Sequence, residues 1–276
     1  MARFIGLLPV VPIALMASGS LAATLAPHRA VYDLALTSRS MDLIDGSGRI
    51  AMEFRQETCG TFDLDYRFVA RFEREDATVV TDQQTVSAED AAANTFTFTT
   101  RTFVDGAAAW VIRGKATNSD SSTRVELEEP EARSFDLPLS VFPSAHTMEL
   151  IEKAKAGERI VETKLFDGDN EADKLLSTTA IITAVGEETS SDEGVGRVTD
   201  DAREVPEKLD GLRAWEVKEV YYNSDSDPDG LPLFETTYTL YENGISGEIA
   251  FETGDYGFAG TLTQLELFEV PDCRPQ

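Results

Sequence analysis

The heptapeptide Phe62-Asp63-Leu64-Asp65-Tyr66-Arg67-Phe68 decides the fold class. Its apolar side chains recur at every second residue with a charged one between, so an extended chain puts them on one face and a helix scatters them. The same alternation continues outward. Upstream lie Ala30 to Leu36 and Gly48 to Phe54, the latter with Ile50, Met52 and Phe54 on one side. Downstream lie Thr78 to Val86, Thr95 to Val104 and Trp110 to Ala116, and Asn94 to Thr100 is rich in β-branched and aromatic residues. Asp45-Gly46 and Asp105-Gly106 are expected as turns between adjacent strands. Strands resume at Arg159 to Phe166, Leu176 to Val185, Leu212 to Tyr222, Leu233 to Tyr241, Ile245 to Phe251 and Phe258 to Val270. In the last run Leu262, Leu265 and Leu267 shift the alternation, which predicts a bulge or burial on both faces.

One helix interrupts the series. Pro143-Ser144 precedes Met148, Leu150, Ile151 and Ala154, and Lys153, Lys155 and Gly157 close the segment. A serine cap, apolar residues at helical spacing, basic residues in the last turn and a terminal glycine all agree. Leu137-Pro138-Leu139 and Val141-Phe142-Pro143 read as an extended crossing segment before it. An acidic stretch, Gly186 to Gly196, has no apolar period and reads as a loop. About a dozen or more strands around one central helix predict an all-β protein whose long antiparallel sheet is curled or closed to avoid open edges.

The amino terminus reads as an export signal. Arg3 precedes an apolar run from Phe4 to Ala17, and Ser20-Leu21-Ala22 supplies small residues ahead of Ala23. The run is shorter than the ~20 residues that span a bilayer, and it contains Pro9 and Pro12. We expect residues 1–22 to be a cleaved signal peptide, residues 23–276 to form a single domain, and the product to be periplasmic. Acidic residues outnumber basic ones 50 to 24, a formal net charge of −26 that repels nucleic acid and anionic headgroups at long range. Nucleic acid is therefore no expected partner.

The only cysteines are Cys59 and Cys273. In an exported chain two cysteines most simply pair with each other, here closing a loop of roughly 200 residues that stabilises by roughly 5 kcal/mol in the chain-entropy model. Two free thiols or a metal site are the alternatives. With only His28 and His146 available, a Cys-His zinc site has few ligands, and no Cys-x-x-Cys is present.

Other chemistry is sparse. Asp225-Ser-Asp227-Pro-Asp229-Gly230 opens like a calcium loop, but Thr236 stands where a bidentate glutamate is needed, and a hairpin turn accounts for the same residues. Asp167-Gly-Asp169-Asn-Glu171-Ala-Asp173 also reads as a turn. His28 is read as making a strand-edge hydrogen bond and His146 as capping or packing the helix. No nucleophile elbow is present, because Gly244-Ile-Ser-Gly247 lacks the spacing. We expect no catalytic residues, cofactor or metal. A curled sheet crossed by a helix can enclose an apolar cleft. Phe96, Phe98, Phe103, Trp110, Trp215, Tyr221 and Tyr222 are candidates to line it, though ordinary core packing accounts for each.

Several segments together resemble the EipB envelope-integrity proteins of alphaproteobacteria. They are Leu25 to Leu34, Gly46-Ser-Gly-Arg49, Thr58-Cys59-Gly60, Thr81 to Thr85, Phe142 to His146, Glu152 to Glu158, Leu165-Phe-Asp-Gly168, Tyr241-Glu-Asn-Gly244 and Cys273-Arg274. The resemblance implies a long antiparallel sheet curled into a β-spiral or open barrel, crossed by a helix. It also implies a Cys59–Cys273 disulfide and a non-enzymatic periplasmic role in envelope integrity. Contacts with envelope proteins go with it, among them a periplasmic tetratricopeptide-repeat protein. So does a lipid-like ligand, since the fold is reminiscent of lipoprotein carriers. We expect a monomer.

Overall fold

The computed structural model describes residues 24–169, 174–185, 207–223 and 230–273. The leader, the acidic stretch 186–196 and the carboxylates Asp225, Asp227 and Asp229 lie outside the described residues.

Eight strands come first: β1 (His28–Arg39), β2 (Leu43–Arg55), β3 (Thr61–Arg74), β4 (Thr78–Asp90), β5 (Thr95–Val104), β6 (Ala107–Asn118), β7 (Ser122–Glu129) and β8 (Arg133–Pro138). Helix α1 (Pro143–Lys155) leads to β9 (Ile160–Leu165), β10 (Leu176–Ala184), β11 (Ala214–Asn223), β12 (Phe234–Tyr241), β13 (Ser246–Thr253) and β14 (Tyr256–Leu267). All fourteen form one antiparallel sheet ordered β8-β7-β6-β5-β4-β3-β2-β1-β14-β13-β12-β11-β10-β9. Two meanders therefore meet at β1, which pairs with β2 on one side and β14 on the other. Outward-facing charges agree with that register. Arg29 stands opposite both Glu53 and Glu266 and bonds to each, a contribution that solvent keeps small.

The sheet curls until strands far apart in its order touch. The Phe98 ring of β5 packs on Phe166 just after β9, with centroids 5.6 Å apart, and Phe68 of β3 meets Phe251 of β13 at 5.8 Å. Near the two edge strands, β8 and β9, the segment after β8 turns onto β9. There the Val141 N–H donates to Lys164 O at 2.8 Å and the Phe166 N–H donates to Val141 O at 3.0 Å. This contact covers part of an otherwise open edge.

Helix α1 lies inside the curl. Leu150, Ile151 and Ala154 are buried against Val161, Ile182, Trp215, Val217 and Leu240. Burying each of the two larger side chains is worth about 2 kcal/mol. Its C-terminal stop matches the residues: Gly157 has φ of +82°, and its N–H donates to Ala154 O while that of Glu158 donates to Lys153 O. This is the paired closure a left-handed residue permits. The N-terminal end departs from expectation. Phe142 occupies the cap position without a side-chain bond, Pro143 begins the helix, and Ser144 lies inside it. The acceptor comes instead from Glu89, on distant β4.

Two further differences from the sequence reading have local causes. Asp45-Gly46 lies within β2, where the pairing to β3 shifts register, and the turn falls at residues 40–42. At Gly46 an added Cβ would sit 3.2 Å from Leu36 and 3.4 Å from Phe258, so close packing rather than a turn uses the glycine. Strands β7 and β8 were not anticipated, although Thr123, Val125 and Leu127 alternate inward. Asp105-Gly106 does form the β5–β6 turn, with φ of 52° and 79°. In β14 the register opposite Val31 and Tyr32 skips Thr263, the bulge that the leucine spacing called for.

Candidate functional site

Curling leaves a cavity of about 620 Å³ inside the sheet, within the range of small-molecule sites. One wall is apolar. Ile50 and Met52 from β2, Phe68 from β3, Ile249 and Phe251 from β13 and Tyr256 from β14 project into it because they hold the inward phase of their strands. The cavity's polar lining comes from β4, α1, the chain just after β9, and β11.

Glu219 is the centre of that lining. It lies in period-two phase with Trp215, Val217 and Tyr221, so the strand turns a carboxylate inward, where it is 2% exposed. Four donors satisfy it. His146 Nε2 lies 2.8 Å from Oε1, Thr178 donates to Oε1 at 3.3 Å, and the Tyr221 and Tyr238 hydroxyls donate to Oε2 at 3.0 and 2.7 Å. Burial pushes Glu219 up, but the bond and charge of His146, with the two phenols, outweigh it and hold the carboxyl below the ordinary glutamate range. Burial first and the nearby Glu219 charge second push both phenols well above theirs.

Glu89 is also buried, at 3% exposure, and accepts the Ser144 and Ala145 backbone N–H groups of α1 at 2.8 and 3.2 Å. A carboxylate at a helix N-terminus meets both orphan donors and the positive end of the dipole. Burial still raises its pKa, since the backbone bonds offset the loss of water only in part. The helix is thus anchored twice, by Glu89 through its backbone and by Glu219 through His146.

Asp167 and Asp169 follow β9 and face the same cavity. Burial, reinforced by the Asp169 charge, pushes Asp167 up to about 7. Its Oδ1 accepts the Asp169 N–H at 3.1 Å, and Gln83 Nε2 donates to Asp169 at 3.0 Å. Between them Gly168 has φ of +70°, and an added Cβ would fall 2.4 Å from the Phe98 ring. Only glycine turns the chain there so closely over Phe98.

His28 lines the cavity and is buried, with Nδ1 2.7 Å from Ala26 O. His146 pairs with Glu219 rather than merely capping or packing. Of the seven aromatic candidates, Phe96 and Tyr221 line the cavity. Phe98 and Trp215 are packed in the core, while Trp110 is 45% exposed. The acidic run from Asp167 is more than the turn its composition predicts: its first two carboxylates belong to the cavity, and residues 170–173 lie outside the described residues. The sequence reading missed Glu89 and Glu219. For Glu219 the signal is present, a glutamate in the apolar phase of Trp215-Glu-Val217-Lys-Glu219-Val-Tyr221.

Cys59 and Cys273 are bonded, with Cα atoms 5.5 Å apart. Cys59 sits in the β2–β3 turn and Cys273 lies beyond β14, so the bond reaches across the start of β1.

Comparison with known proteins places the chain. A family model described as EipB-like matches residues 20–269. The cell envelope integrity protein EipB of Brucella abortus (strain 2308) is 34% identical over 257 residues, 92% of this chain and 88% of that one. The crystal structure of a beta-barrel-like protein of domain of unknown function DUF1849 from Brucella abortus aligns with a TM-score of 0.79 at 33% identity. That alignment covers 90% of this chain and 100% of the other. With nearly the whole described fold matched by both sequence and structure, the chain belongs to the EipB-like family.

Proposed function

We propose that the protein is a non-enzymatic periplasmic factor that supports cell-envelope integrity through contacts with envelope proteins, and that its interior cavity holds a lipid-like molecule. The envelope role follows its similarity to the Brucella protein named for that role. The ligand rests on one observation, a cavity of about 620 Å³ with a continuous aliphatic and aromatic wall. Such a wall gains about 0.8 kcal/mol for each methylene it takes from water. Native mass spectrometry of protein purified gently from the periplasm tests this. We expect a stoichiometric acyl-bearing adduct; protein that is repeatedly free of ligand refutes the ligand.

The same cavity favours a second reading, a periplasmic carrier of lipid or lipoprotein acyl chains. Passage of a labelled acyl probe from the protein to acceptor vesicles supports the carrier, and retention of the probe supports the first reading. Periplasmic cross-linking tests the contacts, with a tetratricopeptide-repeat protein as the partner that the family resemblance suggests. Light scattering tests the monomer. Incubation with cell-wall sacculi tests the absence of catalysis, and released muropeptides would overturn it.

A further inference from the structure

The two walls of the cavity differ in what they can hold. Among the described residues that line it there is no Lys or Arg, whereas Glu89, Asp167, Asp169 and Glu219 all do. Two of these carboxylates are occupied by the protein itself. Glu89 accepts the first N–H groups of α1, and Glu219 is saturated by His146, Thr178, Tyr221 and Tyr238. Asp167 differs, since the hydrogen bond drawn from a neighbour is the Asp169 backbone N–H and, among the described residues, no cation pairs with it.

A second observation concerns His146. Its side chain is 7% exposed and lines the cavity, and its Nδ1 has no hydrogen-bond partner. An ionised Glu219 offers only acceptors, so Nε2 carries the proton of their bond. Nδ1 is therefore a buried polar atom without a partner, which costs stability until one is supplied.

We propose that the polar wall is a head-group site, with Asp167 as its principal acceptor, for an ammonium-bearing amphiphile whose apolar body lies against Ile50, Phe68 and Phe251. This rests on the reading that the cavity holds a lipid-like molecule and adds the chemistry of its head. A carboxylate or phosphate head would meet like charge with no Lys or Arg among the described lining residues to receive it, a repulsive element that discriminates as strongly as an attractive one. An ammonium supplies donors to a carboxylate that burial and Asp169 otherwise leave poorly compensated.

Isothermal titration with three ten-carbon probes, decylammonium, decanol and decanoate, below their micelle concentrations tests the site. Runs at physiological salt limit attraction to the acidic surface. We expect decylammonium to bind at least tenfold more tightly than decanoate, with decanol between. In Asp167→Asn that preference should collapse toward the decanol value while decanol binding is unchanged. The outer-face substitution Asp33→Asn should keep the preference, because Asp33 pairs with Arg49 away from the cavity. If Asp167→Asn does not fold, Asp167→Ser provides the same comparison. Decanoate binding as tightly as decylammonium, or a preference that survives substitution, overturns the head-group site and leaves the ligand reading standing. Failure of all three probes to bind removes the ligand reading itself. An aminolipid and an acylated peptide offer the same head, and the intact mass of the co-purified species separates them.

Discussion

Substituting Glu219 by alanine should be among the most damaging single changes in the chain. The carboxylate is 2% exposed and accepts from His146, Tyr238, Tyr221 and Thr178 at 2.8, 2.7, 3.0 and 3.3 Å. Each bond to a charged group is worth about 1.5–3 kcal/mol, but the four are not additive because the phenols can turn toward cavity water. Removing one member of a buried pair costs about 3–5 kcal/mol, and we take that as the expected loss. With a urea m-value of about 3 kcal/mol/M, the midpoint should fall by about 1 to 1.7 M. Tryptophan fluorescence is a suitable assay, since Trp215 lies on the same strand and packs under α1. The sign with pH follows from the depressed pKa. Stability from ionised Glu219 is full above the ordinary value of 4.5 and is lost as pH falls through the lower folded value. The gap between wild type and variant should therefore narrow in acid. A loss under about 1 kcal/mol at pH 7 would refute the view that this network anchors the helix, and would mean that burying the charge costs about what its bonds return.

Three further outcomes are expected. Replacing both Cys59 and Cys273 by serine removes a cross-link between residues 214 apart and should lower stability by about 5 kcal/mol in the chain-entropy model, read as a urea midpoint against the oxidised protein. Gly168→Ala places a Cβ 2.4 Å from the Phe98 ring at φ of +70° and should cost about 3 kcal/mol. That is a melting temperature about 6–12 °C lower, and a shift under about 2 °C would count against the packing described. Asp167→Asn should leave stability unchanged near pH 4 and raise it progressively toward pH 7. Burial and Asp169 raise the folded pKa to about 7, so the ionised form is penalised in the folded state across that window. A variant that is less stable than wild type at pH 8 would contradict this.

The legible features are those set by near neighbours along the chain. Period-two alternation marks Phe62 to Phe68 as a strand whatever it pairs with, and a lysine pair followed by Gly157 ends α1 from within. The bulge in β14 was legible for the same reason, since Leu262 and Leu265 break the phase locally. The missed strand β7 carries alternation too, but its inward residues Thr123, Val125 and Leu127 sit among acids in a short run. The cap of α1 had no local signal, because its acceptor, Glu89, is 55 residues from Ser144.

By itself, then, the sequence determined a β-rich chain with one central helix and one cysteine pair, because alternation, helix stops and cysteine arithmetic need no knowledge of the partner strand. Its motifs also carried the family resemblance. Only the tertiary structure decided that β1 joins two meanders, that the sheet curls far enough to bring Phe98 onto Phe166, and that a cavity remains inside. The acidic wall belongs to that second class. A glutamate in apolar phase is visible in the sequence, but what it does depends on His146, 73 residues away, and on the phenols of two paired strands. Inward direction is a property of one strand, whereas the chemistry of an interior is a property of which inward faces meet.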